Sequence, residues 1–167
     1  MKEEELKELL DFHLPRYEEL PEIDLYLDQT VTLLENYLNQ YIRKNLDEKI
    51  ITKTMINNYV KQHVMEAPVN KKYSKNHIAT LFVICILKQV YSIPDIAKLI
   101  ELALRAKEIN IAYNKFCDHL EHSIRLVFTK QHVEEKNEYN ENEYLLKNVV
   151  QAFANKLYVE KTFLKKD

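Results

Sequence analysis

Lys53, Thr54, Asn57, Asn58 and Lys61 fall within nine residues, and Lys71, Lys72, Tyr73 and Lys75 follow within the next fourteen. These side chains suit contact with DNA. Lysine ammoniums neutralise phosphates, hydroxyls and amides bond phosphate oxygens, and an asparagine amide can pair with adenine through two hydrogen bonds. In that reading Thr54, Asn57, Asn58 and Lys61 face base edges in the major groove. Lys71, Lys72 and Tyr73 grip phosphates, with Lys53 and Lys75 in support. The plain alternative is that Asn57 and Asn58 decorate an exposed helix.

The charge distribution favours the first reading. Residues 1–42 carry three basic and eleven acidic side chains, a net −8. Residues 43–88 carry nine basic (Arg43, Lys44, Lys49, Lys53, Lys61, Lys71, Lys72, Lys75, Lys88) and three acidic, a net +6, and the rest of the chain balances. Phosphate attraction supplies most non-specific nucleic-acid binding. The whole chain is nevertheless slightly acidic, at −2.

Local signals place these residues on a helix–turn–helix order. Thr52 or Thr54 can cap a helix running to about Val64. Pro68 cannot continue it, and Asn70-Lys71-Lys72 reads as a turn. Ser74 starts a second helix with Ile78, Leu81, Phe82, Cys85, Ile86 and Val90 at helical spacing. Ser92-Ile93-Pro94-Asp95 starts a third: a capping serine, a first-turn proline and an acid three residues on. Its apolar face continues through Ile96, Leu99, Ile100 and Ala103.

The 167 residues contain no glycine. Glycine supplies the positive-φ corners of hairpins, phosphate loops and nucleophile elbows. Its absence predicts a helical chain and removes those nucleotide-binding and hydrolase motifs. Cys85 and Cys117 sit in apolar helical patterns and read as small buried thiols. The acidic N-terminus is no signal peptide, and no apolar run approaches a membrane span. The expectation is a cytoplasmic protein.

Elsewhere, a short helix is predicted near Glu3–Phe12, followed by an irregular stretch containing Pro15 and Pro21. Leu25–Arg43 should be helical, with Leu27, Val31, Leu34, Leu38 and Tyr41 on one face. Asn45–Ile51 reads as a connection. A long helix over Lys107–Lys130 should bury Ile111, Phe116, Leu120, Ile124 and Val127. Glu134–Glu143 reads as an exposed loop. Tyr144–Phe163 resumes helical spacing through Leu145, Val149, Phe153, Leu157 and Val159, and Lys165–Asp167 should fray.

Residues 20–120 resemble a bacterial family of unknown function, DUF1836. The likeness rests on Ile51-Thr52-Lys53-Thr54-Met55-Ile56-Asn57-Asn58-Tyr59-Val60-Lys61, on Lys71-Lys72-Tyr73-Ser74-Lys75 and on Ser92-Ile93-Pro94-Asp95-Ile96. The same stretch is similar, more distantly, to the mercury-resistance regulator (MerR) family. In that family a tyrosine-bearing recognition helix precedes a proline, a short basic wing, a tyrosine–serine step and an apolar helix. Tyr59, Pro68, Lys71, Tyr73, Ser74, Ile78 and Leu81 hold those places here. Ser92, Asp95 and Ile96 match the serine-initiated helix that follows, and Lys107–Lys130 corresponds to the family's dimerising helix. An early arginine of the recognition helix is replaced by Ile56 or Asn57. The glycine that ends that helix is missing, and Lys71 replaces a wing arginine, a point charge without the bidentate fork.

Other candidate chemistry is thin. His119 and His122 share a helix face, but Cys117 points elsewhere and two ligands do not hold Zn²⁺. No metal or cofactor is expected. His63 and His77 read as surface residues and His132 as lying near a helix end. The eleven tyrosines are scattered. No serine–histidine–aspartate set converges, and Glu134-Glu135 reads as solubilising charge, so no catalysis is expected.

The sequence therefore predicts an all-α protein with a winged helix-turn-helix-like core. Residues 1–106 would hold that domain, and 107–167 a helical region for dimerisation or a partner. The expected partners are double-stranded DNA and a second copy of the chain, with no membrane. The competing reading is a helical protein–protein interaction module on a degenerate DNA-binding fold.

Overall fold

A computed structural model describes residues 1–42, 47–131 and 139–164. The expected roles of Arg43, Lys44, His132, Glu134-Glu135 and the C-terminal lysines lie outside those residues. The fold is all-α. Among the described residues are seven α-helices and one two-stranded sheet. Their order is α1 (Glu3–Leu10), β1 (Leu25–Tyr26), α2 (Leu27–Ile42), α3 (Lys53–Lys61), β2 (Lys72–Tyr73), α4 (Lys75–Leu87), α5 (Ile93–Ala106), α6 (Ile109–Phe128) and α7 (Glu141–Thr162).

The chain divides into two compact units, Pro15–Asn114 and a second made of Met1–Leu14 with Lys115–Asp167. In this division α1 groups with the C-terminal helices. The ends of the first unit are stitched together. Tyr113 donates its hydroxyl to the Pro15 carbonyl at 2.6 Å, the Tyr17 N–H donates to Asn114 Oδ1 at 2.8 Å, and the Asn114 amide donates to Glu18.

Helix α4 is the axis of that unit. The sequence spacing predicts one apolar face, but Ile78, Ala79, Leu81, Phe82, Ile84, Cys85, Ile86 and Leu87 are all buried. A helix apolar on every side belongs in a core. Phe82 meets Tyr37 edge-to-face at 5.7 Å. Helix α2 buries Leu34, Leu38 and Tyr41 as its spacing predicts, with Leu27 and Val31 half-buried.

Four residues take the left-handed backbone that glycine usually fills: His63, Asn70, Lys71 and Lys130. His63 ends α3. Its N–H bonds the Val60 carbonyl and the Val64 N–H bonds that of Tyr59, a Schellman closure. The helix therefore stops at Lys61, short of Val64 and well before Pro68. Lys130 closes α6 in the same way, through Val127 and Leu126.

In the second unit, α6 buries Phe116, Cys117, Leu120, Ile124 and Phe128, and α7 buries Val149, Val150, Phe153, Ala154 and Leu157. Leu14 donates its N–H to Glu121 at 3.0 Å. Across both units, four residues expected on apolar faces are instead exposed: Ala103, Ile111, Leu145 and Val159. Each lies near a helix end, where the apolar spacing continues past the surface it packs on.

Candidate nucleic-acid interface

Helix α3 begins where Thr52 accepts the Met55 N–H at 3.1 Å. It turns Ile56 and Tyr59 into the core, with Met55 and Val60 half-buried. Lys53, Thr54, Asn57, Asn58 and Lys61 are all exposed. At 100° per residue these five positions span an arc of about 140°. Every residue proposed on this helix thus shares one outward face, and no apolar residue interrupts it.

Behind that face stands Lys88, one of the nine basic residues of the 43–88 segment. Its ammonium donates to the Ile50 carbonyl and to the Tyr59 hydroxyl at 3.3 Å, and it lies 3.6 Å from Met55 Sδ. Burial lowers the Lys88 pKa, while Cys85 and Glu48 push it back up. Burial raises Tyr59 to about 12 and Cys85 to about 11. Lys88 therefore braces α3 from inside and is unavailable to an outside ligand. A lysine closing an apolar helix carries no sequence signal for this role.

The segment after α3 makes a two-residue turn. Val69 and Lys72 exchange both backbone hydrogen bonds, at 3.1 and 3.0 Å, across Asn70 and Lys71. Both central residues have positive φ, 51° and 63°, as in a type I′ turn. Lys71 is exposed at its tip. The strand leaving the turn, β2, pairs antiparallel with β1, placing Tyr26 opposite Lys72 and Leu25 opposite Tyr73.

The remaining proposed residues are placed differently. Tyr73 is only 2% exposed, and burial raises its pKa. It serves the core, because the strand register that turns Lys72 outward turns Tyr73 inward. Lys75 pairs with Glu22 at 2.8 Å and lies 5.5 Å from the Tyr17 ring centroid. Part of the acidic N-terminal charge is thus spent on the basic segment.

His77 is buried and not at the surface as its polarity implied. Its Nδ1 accepts the Ser74 N–H at 2.9 Å, so Nε2 carries the proton it donates to the Ala67 carbonyl at 3.0 Å. The ring also meets Tyr73 edge-on at 5.5 Å. One neutral tautomer thereby caps α4 and anchors the chain entering the turn. The Ser74–His77 spacing of three, which mimics a capping box with imidazole in place of a carboxylate, was the available signal.

On α6, Cys117 is buried, His119 is half-buried and His122 is exposed. Among the described residues no three metal-binding side chains come together. No described helix is long and apolar enough to cross a membrane.

The family described as Domain of unknown function (DUF1836) matches residues 15–116. The chain belongs to the DUF1836 family. The matched segment begins where the first compact unit begins and ends two residues beyond it, so the DUF1836 domain is that stitched unit around α4. No curated protein and no solved structure matches the chain.

Proposed function

We propose that the DUF1836 domain of this chain binds double-stranded DNA as a non-catalytic, sequence-specific transcriptional regulator. The observation that carries the reading is the α3 face. Five polar or basic side chains with DNA-binding chemistry share one exposed arc on a helix braced from behind by Lys88. In this reading α3 is the recognition helix and the Val69–Lys72 turn is the wing, the order seen in MerR-like regulators. The phosphate-binding set then narrows to Lys53, Lys71 and Lys72, with Lys61 staying among the groove-facing side chains of α3. Asn57 and Asn58 read bases, and Thr54 supports them.

The test is selection of duplexes from a random library by the wild type and by an Asn57→Ala/Asn58→Ala variant. Wild type should enrich a motif that the variant loses while keeping non-specific affinity. Equal enrichment by both would overturn the reading of α3.

One observation favours a protein partner instead. Residues 101–106 at the end of α5 are all exposed, including Leu102 and Leu104. If the domain serves that surface, Leu104→Glu abolishes partner capture and leaves duplex binding unchanged. For self-association, α5 is the more open candidate, since Phe116, Leu120 and Ile124 on the apolar face of α6 are already buried within one chain.

A further inference from the structure

The small sheet brings a residue from before α2 into the proposed interface. Directly opposed residues of an antiparallel pair project to the same side. Lys72 has two such partners, Tyr26 across β1 and Val69 across the turn. Tyr26, Lys72 and Val69 therefore stand in a row on one face, while Leu25 and Tyr73 take the other. The row is outward: Tyr26 is 51% exposed and Val69 66%.

Within the row, the Lys72 ammonium lies 5.2 Å from the Tyr26 ring centroid. The backbone that carries the ring is held at both of its polar groups. The Tyr26 N–H donates to Gln29 Oε1 at 2.9 Å, and its carbonyl accepts the hydroxyl of buried Thr30 at 2.9 Å. The Lys72 backbone is tied on both sides, to Val69 and to β1. Among the described residues no carboxylate pairs with this ammonium, whereas Glu22 holds Lys75 nearby in sequence. Lys72 is thus aimed yet uncompensated, an arrangement that suits an incoming anion.

We propose that Tyr26 is a positioning residue of the nucleic-acid face: its ring holds the Lys72 ammonium where a backbone phosphate binds. The inference rests on the DNA reading and extends it to a segment forty-six positions earlier in the chain. Holding a long, flexible side chain in its bound direction spares part of the ordering cost of binding.

The experiment is anisotropy of a random-sequence duplex titrated with salt, on the full chain and four variants: Tyr26→Phe, Tyr26→Ala, Lys72→Ala and Tyr26→Ala/Lys72→Ala. Thermal melts verify that each is folded. Tyr26→Phe keeps the ring and should bind as wild type. Tyr26→Ala should weaken binding about two- to fivefold, part of the ordering cost of one long side chain that the ring otherwise spares. Lys72→Ala should lower the magnitude of the salt slope by about 0.9, one phosphate contact. In its background Tyr26→Ala should cost nothing more.

Wild-type binding unaffected by Tyr26→Ala would overturn this inference alone. So would a loss that persists at full size without Lys72, or Tyr26→Phe failing as alanine does, since the hydroxyl would then be the contact. Absence of wild-type binding would overturn the DNA reading and this inference together.

Discussion

Lys71→Gly should make the protein more stable while weakening its binding to DNA. Lys71 sits at the second centre of the Val69–Lys72 turn with φ 63°, following Asn70 at 51°. A side chain with a Cβ loses about 1–2 kcal/mol in left-handed backbone. Glycine escapes that cost but sacrifices about 0.5–1 kcal/mol of unfolded-chain freedom. The substitution creates Asn-Gly, the preferred type I′ pair, so the net gain should be about 0.5–1 kcal/mol. With a slope near 2 kcal/mol per molar, the urea midpoint should rise by about 0.2–0.5 M. Lys71→Ala is the comparison: it removes the same charge and keeps the Cβ, so it should show no gain. Duplex binding should fall equally in both, with the salt slope reduced by about 0.9. A glycine variant no more stable than the alanine variant would refute the strain argument. Unchanged binding in both would refute the role of the turn.

Two further outcomes follow from the region behind α3. Lys88→Met should destabilise the fold by about 1–3 kcal/mol, because it removes the ammonium donor from the buried Ile50 carbonyl; an unchanged melting temperature would show that the ammonium braces nothing. Stability should also fall in alkali. Cys85 titrates near 9.0 unfolded and about 11 folded, and Tyr59 near 10.0 and about 12. Both folded values are raised, so their contribution is intact below pH 9 and is lost as pH climbs from 9 to 12. Lys88, lowered in the fold, opposes this in part. Urea midpoints across that range should decline, and more gently in Cys85→Ala.

Much of the helical order was legible because its starts are written in the sequence. Thr52 and Ser92 cap α3 and α5, accepting N–H groups three residues on. The absence of glycine announced helices, although His63, Asn70, Lys71 and Lys130 still supply four positive-φ corners. Periodicity showed which face of α6 and α7 is apolar but not where the surface beneath it ends, so Ile111, Leu145 and Val159 were expected inside. The β1–β2 pairing was invisible, since two residues hold no alternation and their partners lie forty-six and forty-eight positions away. The burial of Tyr73 and His77 follows from that pairing and from a turn geometry that composition cannot supply. The role of Lys88 was not legible because an ion braced by a backbone carbonyl leaves no spacing pattern.

The central claim is that the α3 face and the Val69–Lys72 turn form a DNA-binding surface. Its most direct test is a salt titration of duplex binding by the wild type and by a Lys71→Ala/Lys72→Ala variant. The account predicts wild-type binding that weakens steeply with salt, and a slope smaller by about 1.8 in the variant, two phosphate contacts. Absence of wild-type binding at low salt, or identical slopes for the two proteins, would contradict it.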